Sequence, residues 1–141
     1  MLSTDIVILA AGKGTRMQSS LPKVLHAIAG QPMLAHVIAA ANTVANGNKI
    51  IVTGHGAEQV EKATADSGSV FVQQNEQLGT AHAVKMAVPH LRAKATVLIL
   101  YGDVPLISPA TIKKMLEAVS AKQIGLLTIN LDNPTGYGRI I

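Results

Sequence analysis

The chain has no cysteine and no tryptophan, and its 141 residues include one phenylalanine and two tyrosines. Without thiols there is no disulfide, no thiolate zinc site and no cysteine nucleophile. With so few aromatics, the chain lacks the stacking platforms that hold single-stranded nucleic acids. Charge is sparse as well. Only 14% of residues are charged, and Lys and Arg are dispersed, with no block of about five or six. The net charge of +4 therefore points to a small anionic ligand and not to nucleic acid. No apolar run approaches the ~20 residues needed to span a bilayer. Residues 1–5 carry neither a basic n-region nor an apolar h-region, so no signal peptide is read there. These absences predict a soluble protein with no membrane partner, sited in the cytoplasm.

What is present is aliphatic: 48% of residues are apolar, which argues against disorder. A chain of this length supports one core, burying roughly 68–70% of its unfolded surface. Short β-branched runs at 5–10, 49–53, 69–73, 96–100 and 124–131 read as strands. Between them lie amphipathic segments. Met33, Leu34, Val37, Ile38, Ala41 and Val44 share one helical face, and Pro32 suits a first turn. Residues 57–65 read as a helix. Thr80 is a candidate cap for a helix that carries Ala81, Val84 and Val88 and stops at Pro89. Ser108-Pro109 opens a helix with Ile112, Met115, Leu116 and Val119 inward. Repeated β–α–β succession predicts an α/β fold of Rossmann type: a mostly parallel sheet with helices on both faces. Ligands of such sheets bind at the carboxyl ends of strands. The Gly12 loop, Gln73-Gln74 and Tyr101-Gly102-Asp103 all fall at such ends.

The first strand breaks into Leu9-Ala10-Ala11-Gly12-Lys13-Gly14-Thr15-Arg16-Met17, with Leu21-Pro22-Lys23 close behind. Small residues let backbone N–H groups reach phosphates, and nearby cations close over them. Two common phosphate motifs fail here. Met17 replaces the third glycine of G-x-G-x-x-G, and Val7 the first of G-x-x-x-x-G-K-[ST]. On spacing alone a ligand-free strand–helix turn remains open, although such a turn has no need of Arg16 and Lys23. Asp103 likewise reads as a turn or capping aspartate, Gln74 as a solvated strand-end residue, and Lys13 as a solvated loop lysine. His26, His36, His55, His82 and His90 show no metal-ligand spacing and suggest no catalytic base.

The Leu9–Met17 run with Pro22-Lys23 resembles the signature of nucleotide-sugar pyrophosphorylases. Val24-Leu25-His26, Ala29-Gly30 and Pro32-Met33 are similar to one branch of that superfamily, as are Gln77-Leu78-Gly79-Thr80-Ala81-His82-Ala83 and Tyr101-Gly102-Asp103-Val104-Pro105-Leu106. Residues 133–140 continue the match. That branch is the bacterial bifunctional N-acetylglucosamine-1-phosphate uridyltransferase/glucosamine-1-phosphate acetyltransferases. The resemblance implies that a sugar-1-phosphate oxygen attacks the α-phosphorus of UTP and pyrophosphate leaves. It implies Arg16 and Lys23 as catalytic cations, Arg16 facing the triphosphate and Lys23 the α-phosphate. It assigns Asp103 to Mg²⁺, Gln74 to uracil with backbone from Ala10, Gly79 and Thr80, and Gly138 to the sugar. Leu9, Ala11, Gly12, Tyr101 and Gly102 complete the nucleotide- and sugar-binding set. The family often has glycine where Ala81 stands.

Residues 136–141 read as a strand just beginning, which predicts a truncated chain. The resemblance sets the sugar-gripping residues, a second metal-binding asparagine and a trimer-forming β-helix acetyltransferase domain downstream, so the parent protein is expected to be a homotrimer. Two alternatives stay open: a sister nucleotidyltransferase with another base or sugar, and a nucleotide-binding module without turnover.

Overall fold

The structure, a computed structural model, describes residues 3–14, 17–138 and 140. Strand β1 (Thr4–Ala10) runs through the middle of the sheet, and Ile6, Val7 and Ile8 are fully buried. A continuous apolar run is what a strand covered on both faces requires. A single 3-10 turn (Lys23–Leu25) follows, then a small hairpin of β2 (Ala27–Ile28) and β3 (Gln31–Pro32). The order continues α1 (Met33–Asn42), β4 (Lys49–Thr53), α2 (Ala57–Ala63), β5 (Val70–Gln73), α3 (Thr80–Ala87), β6 (Thr96–Tyr101) and α4 (Pro109–Ala118).

The four long strands lie in the order β5-β4-β1-β6, and every neighbouring pair is parallel. Alternation along β1 divides the core. Ile6, Ile8 and Ala10 pack with Leu34, Val37 and Ile38 of α1, Val60 of α2 and Ile112 of α4. Val7 and Ala11 face the other way, with Ile50 and Val52, onto Ala83 and Ala87 of α3. The expected parallel sheet with helices on both faces is therefore present, although the edge strand β6 leaves Val97 and Ile99 exposed on the α3 side. Ala10 pairs with Thr53, Thr53 with Gln73, and Leu9 with Tyr101, a register that brings the carboxyl ends of all four strands to one rim.

Two sequence expectations require correction. Residues 124–131 form no strand. They run as coil, with Ile124 98%, Leu126 67% and Ile129 74% exposed. Apolar composition favours an extended chain, but a strand exists only where a partner supplies its ladder, and no described segment pairs with this one. Helix α3 buries Ala83 and Ala87, while Ala81 and Val88 are exposed and Val84 is half-buried. Alanines let the helix axis approach the sheet closely, which turns the larger valines outward. The second correction concerns Thr80, which is the first residue of α3; the cap is Gly79 and no side chain caps it. By contrast, Ser108 caps α4 as expected, its Oγ accepting from the Thr111 amide at 3.1 Å.

The amino end of β1 is held by a charge. Asp5 is fully buried and its carboxylate accepts from the amides of Asn48 (2.8 Å) and Arg92 (2.7 Å) and from Arg92 Nε (2.8 Å). The contact ties the residues before β4 and β6 to β1 at one point. Burial pushes this carboxyl up, but the Arg92 amide and guanidinium and the Asn48 amide outweigh it and hold it below its usual 3.8. Replacing Asp5→Asn should destabilise by about 2–3 kcal/mol, toward the low end for a buried pair because the Arg92 side chain is partly exposed. Urea unfolding across pH checks the sign. The wild-type advantage is full above the ordinary carboxyl pKa and is lost as pH falls through the lower folded value.

The β2–β3 hairpin turns on Ala29-Gly30, both with positive φ (50° and 81°), as a two-residue type I′ connection requires. Ala29 carries a Cβ in a left-handed conformation, at a cost of about 1 kcal/mol. Ala29→Asn should therefore raise the thermal midpoint by a few degrees, corresponding to about 0.5–1 kcal/mol; a calorimetric scan reads it directly.

Candidate active site

At the rim where the strands end, a cavity of about 290 Å³ opens. Leu9, Ala10, Ala11 and Gly12 line it from β1 and the following loop. Gly14 in that loop has φ of 57°, and a Cβ there would stand 2.7 Å from Lys23 Cβ. A glycine is thus what lets the loop pass beside Lys23.

Lys23 reaches the cavity because the chain behind it is anchored. Val24 and Leu25 are buried in the 3-10 turn, and the Leu25 amide donates to Pro22 O at 2.9 Å. From that base Lys23 Nζ donates to Asp103 Oδ2 at 2.7 Å, joining groups 80 residues apart. Asp103 sits on the turn after β6. The Gly102 amide donates to Leu9 O at 2.9 Å, which fixes this turn against the end of β1. The side chains of Lys23 and Asp103 are 41% and 33% exposed, so their attraction is softened by water.

The opposite wall is neutral. Gln74 continues the line of β5, its amide donating to Thr53 O at 2.7 Å, and only 4% of it is exposed. Its Nε2 donates to Gly79 O at 3.2 Å and lies 2.9 Å from His82 Nδ1. Gly79 takes φ of 98° as it leads into α3, a conformation open to glycine at low cost. Thr80 and Tyr101 complete the rim of the cavity.

Of the residues singled out from the sequence, Leu9, Ala10, Ala11, Gly12, Lys23, Gln74, Gly79, Thr80, Tyr101 and Asp103 meet around this one space. Gly102 lies behind its wall, where a Cβ would come within 3.0 Å of Leu9 O and 3.2 Å of the Leu34 and Val24 side chains. Gly138 belongs to the exposed coil after α4 and is not part of the lining. Arg16 lies outside the described residues. Sequence reasoning missed Val24, Gln77 and Ala83 as cavity walls. Gln77 Nε2 donates to Ala11 O at 2.6 Å and so ties the loop before α3 to the loop after β1. Its only signal was its place in the run 77–83. Among the described residues no three His, Cys, Asp or Glu gather as a metal cage, and no helix is long and apolar enough to cross a membrane.

Comparison with known proteins agrees with this geometry. The family model of the MobA-like NTP transferase domain matches residues 6–135. The chain is 59% identical over 140 residues to the bifunctional protein GlmU of Stutzerimonas stutzeri (strain A1501), covering 99% of this chain and 31% of that protein. It is 56% identical over 137 residues to the GlmU protein of Cellvibrio japonicus (strain Ueda107), covering 97% and 30% respectively. The chain thus spans about a third of the length of these relatives. Among solved structures, a nucleotidyl transferase from Methanothermobacter superposes with a TM-score of 0.70 at 26% identity, over 82% of this chain and 57% of that one. A parallel sheet with a cation–carboxylate pair and a buried amide at its carboxyl rim accompanies a family match over nearly the whole sequence: the chain belongs to the MobA-like NTP transferase domain family.

Proposed function

We propose that this chain is the nucleotide-binding part of a uridylyltransferase that joins UTP and N-acetylglucosamine 1-phosphate to give UDP-N-acetylglucosamine and pyrophosphate. The observation that carries the reading is the single cavity into which the β1 loop, the Lys23–Asp103 pair and Gln74 all open. An oxygen of the sugar phosphate attacks the α-phosphorus, the bond to the β-phosphate oxygen breaks, and the electron pair leaves on pyrophosphate. Such transfer depends on positioning and charge neutralisation, not on a protein nucleophile. The loop from Leu9 to Gly12 offers backbone to the nucleotide, Gln74 offers a polar edge to the base, and Lys23 brings positive charge to the α-phosphate. Arg16 is assigned to the triphosphate by its place in the motif.

Asp103 is the one acidic side chain among the described residues lining the cavity. A single carboxylate beside phosphates suits Mg²⁺, which keeps waters and takes phosphate oxygens as its other ligands. When bound there, the ion would offset the charge of the phosphates. The Lys23 ammonium now in contact with Asp103 stands in for that positive charge, so nucleotide and metal entry would part the two side chains. In this reading the sugar-gripping residues, the second metal ligand and the acetyltransferase part lie outside the chain, in a cytoplasmic, trimeric parent. By itself the chain would then bind nucleotide without turnover.

Calorimetric titration with UTP, CTP, ATP and dTTP in the presence of Mg²⁺ tests the base. UTP should bind most tightly, and equal affinity for all four would remove the uridylyl assignment. Pyrophosphate release from this chain and from one extended to the length of its relatives separates a binding module from an enzyme, with turnover expected in the longer chain alone. In that longer chain Lys23→Ala should lower the rate by about 10²–10³, the usual loss of a group that stabilises developing charge. Unchanged turnover would sink its role.

A further inference from the structure

We propose that His82 is a positioning residue that fixes the hydrogen-bond polarity of Gln74, and thereby makes the cavity select a base whose ring position 3 carries an N–H donor. This inference rests on the reading of the cavity as a nucleotide site. The carbonyl oxygen of Gly79 can only accept, and the group 3.2 Å away on Gln74 must therefore be the amide nitrogen. The same oxygen takes the amide of Ala83 at 3.1 Å, so both of its lone pairs are engaged. The second hydrogen of Gln74 Nε2 then points to His82 Nδ1 at 2.9 Å. A nitrogen receiving that hydrogen must be unprotonated, which sets the neutral ring as the Nε2–H tautomer.

With both amide hydrogens taken, the group left to a ligand is Gln74 Oε1, which has no protein donor among the described residues. The amide is nearly buried, so turning it over would bring its oxygen against Gly79 O and strand its hydrogens. The cavity thus presents a fixed acceptor. Uracil carries N–H at its ring position 3 and satisfies it. Cytosine carries a lone pair there and opposes it. The discrimination arises from the partner behind Gln74 as much as from Gln74 itself, because a glutamine free to flip serves either base.

UTP and CTP titrations with Mg²⁺ on this chain, for the wild type and three variants, read the effect. His82→Phe keeps a ring but removes the acceptor, and should reduce the UTP-over-CTP preference about five- to tenfold, the worth of one neutral hydrogen bond. His82→Asn, whose Oδ1 can accept where Nδ1 did, should restore most of it. A side chain that merely filled space would not be rescued in this way. Circular dichroism melting confirms that each variant folds. Long-range ¹H–¹⁵N spectra at mildly alkaline pH should show the His82 ring with its Nδ1 unprotonated; the opposite tautomer overturns the proposal. It is also overturned if His82→Phe keeps the wild-type preference, or if Phe and Asn lower it equally. Gln74→Ala separates the two levels. If it abolishes the preference while His82→Phe does not, base recognition stands and the role of His82 falls. If Gln74→Ala leaves the preference unchanged, the assignment of Gln74 to the base fails and the inference fails with it.

Discussion

Everything at the cleft depends on the parallel pairing of β1 with β4 on one side and β6 on the other. Parallel neighbours must all end at the same edge, and the matched register brings Ala10, Thr53, Gln73 and Tyr101 to it together. Groups separated by dozens of residues in sequence then become neighbours without any loop having to reach far. The cost of this arrangement is a central strand with no polar side chain to spare between its ends. Ile6, Val7 and Ile8 are wholly removed from water, and at about 1.5–3 kcal/mol for each such side chain they anchor both layers of helices.

The ends of β1 treat charge in opposite ways. At the amino end the Asp5 carboxylate is out of reach of water and saturated by three donors from two neighbouring segments. Removing any one partner there leaves a buried group unsatisfied, so the contact can only serve stability. At the carboxyl end Lys23 and Asp103 share a single contact and remain a third or more exposed. Water already screens that pair and can accept either partner, so exchange for a ligand is inexpensive. The same physics of desolvation separates a structural ion pair from an exchangeable one.

How much of this was legible in the sequence varied with the kind of signal. The cores of β1 and β4 were plain, because parallel strands covered on both faces are apolar without interruption; β6 was as apolar in sequence, although at the sheet edge it leaves Val97 and Ile99 exposed. The convergence of the Gly12 loop, Gln74 and Asp103 came from topology alone, once those strands were taken as parallel. The β2–β3 hairpin was not read, since strands of two residues carry no periodicity and the Ala29-Gly30 turn uses an alanine where asparagine is the stronger signal. The buried face of α3 was not read, because hydrophobicity favours its valines while close packing on the sheet favours Ala83 and Ala87. Residues 124–131 looked like a strand for their side chains, but strand formation is a property of pairs. Gln77 and His82 stayed hidden for a related reason: their partners, Ala11 O and Gln74, are fixed only by the tertiary fold.

The two walls of the cavity are built to different specifications, and the difference reflects the task each would have on the proposed reading. A phosphate chain demands charges that can move from one partner to another as ligand and metal arrive, so half-exposed side chains on short contacts suit it. A base demands a neutral polar atom that does not adapt, since an adaptable one accepts the wrong edge as readily as the right one. Burial alone does not supply this, because a buried amide can still flip. What supplies it is the tying of both hydrogens of Gln74 to acceptors that the fold has already placed, Gly79 O through its unusual backbone and His82 Nδ1 from the first turn of α3. The ordering is completed when the chain folds, so a ligand meets a group whose orientation has already been decided.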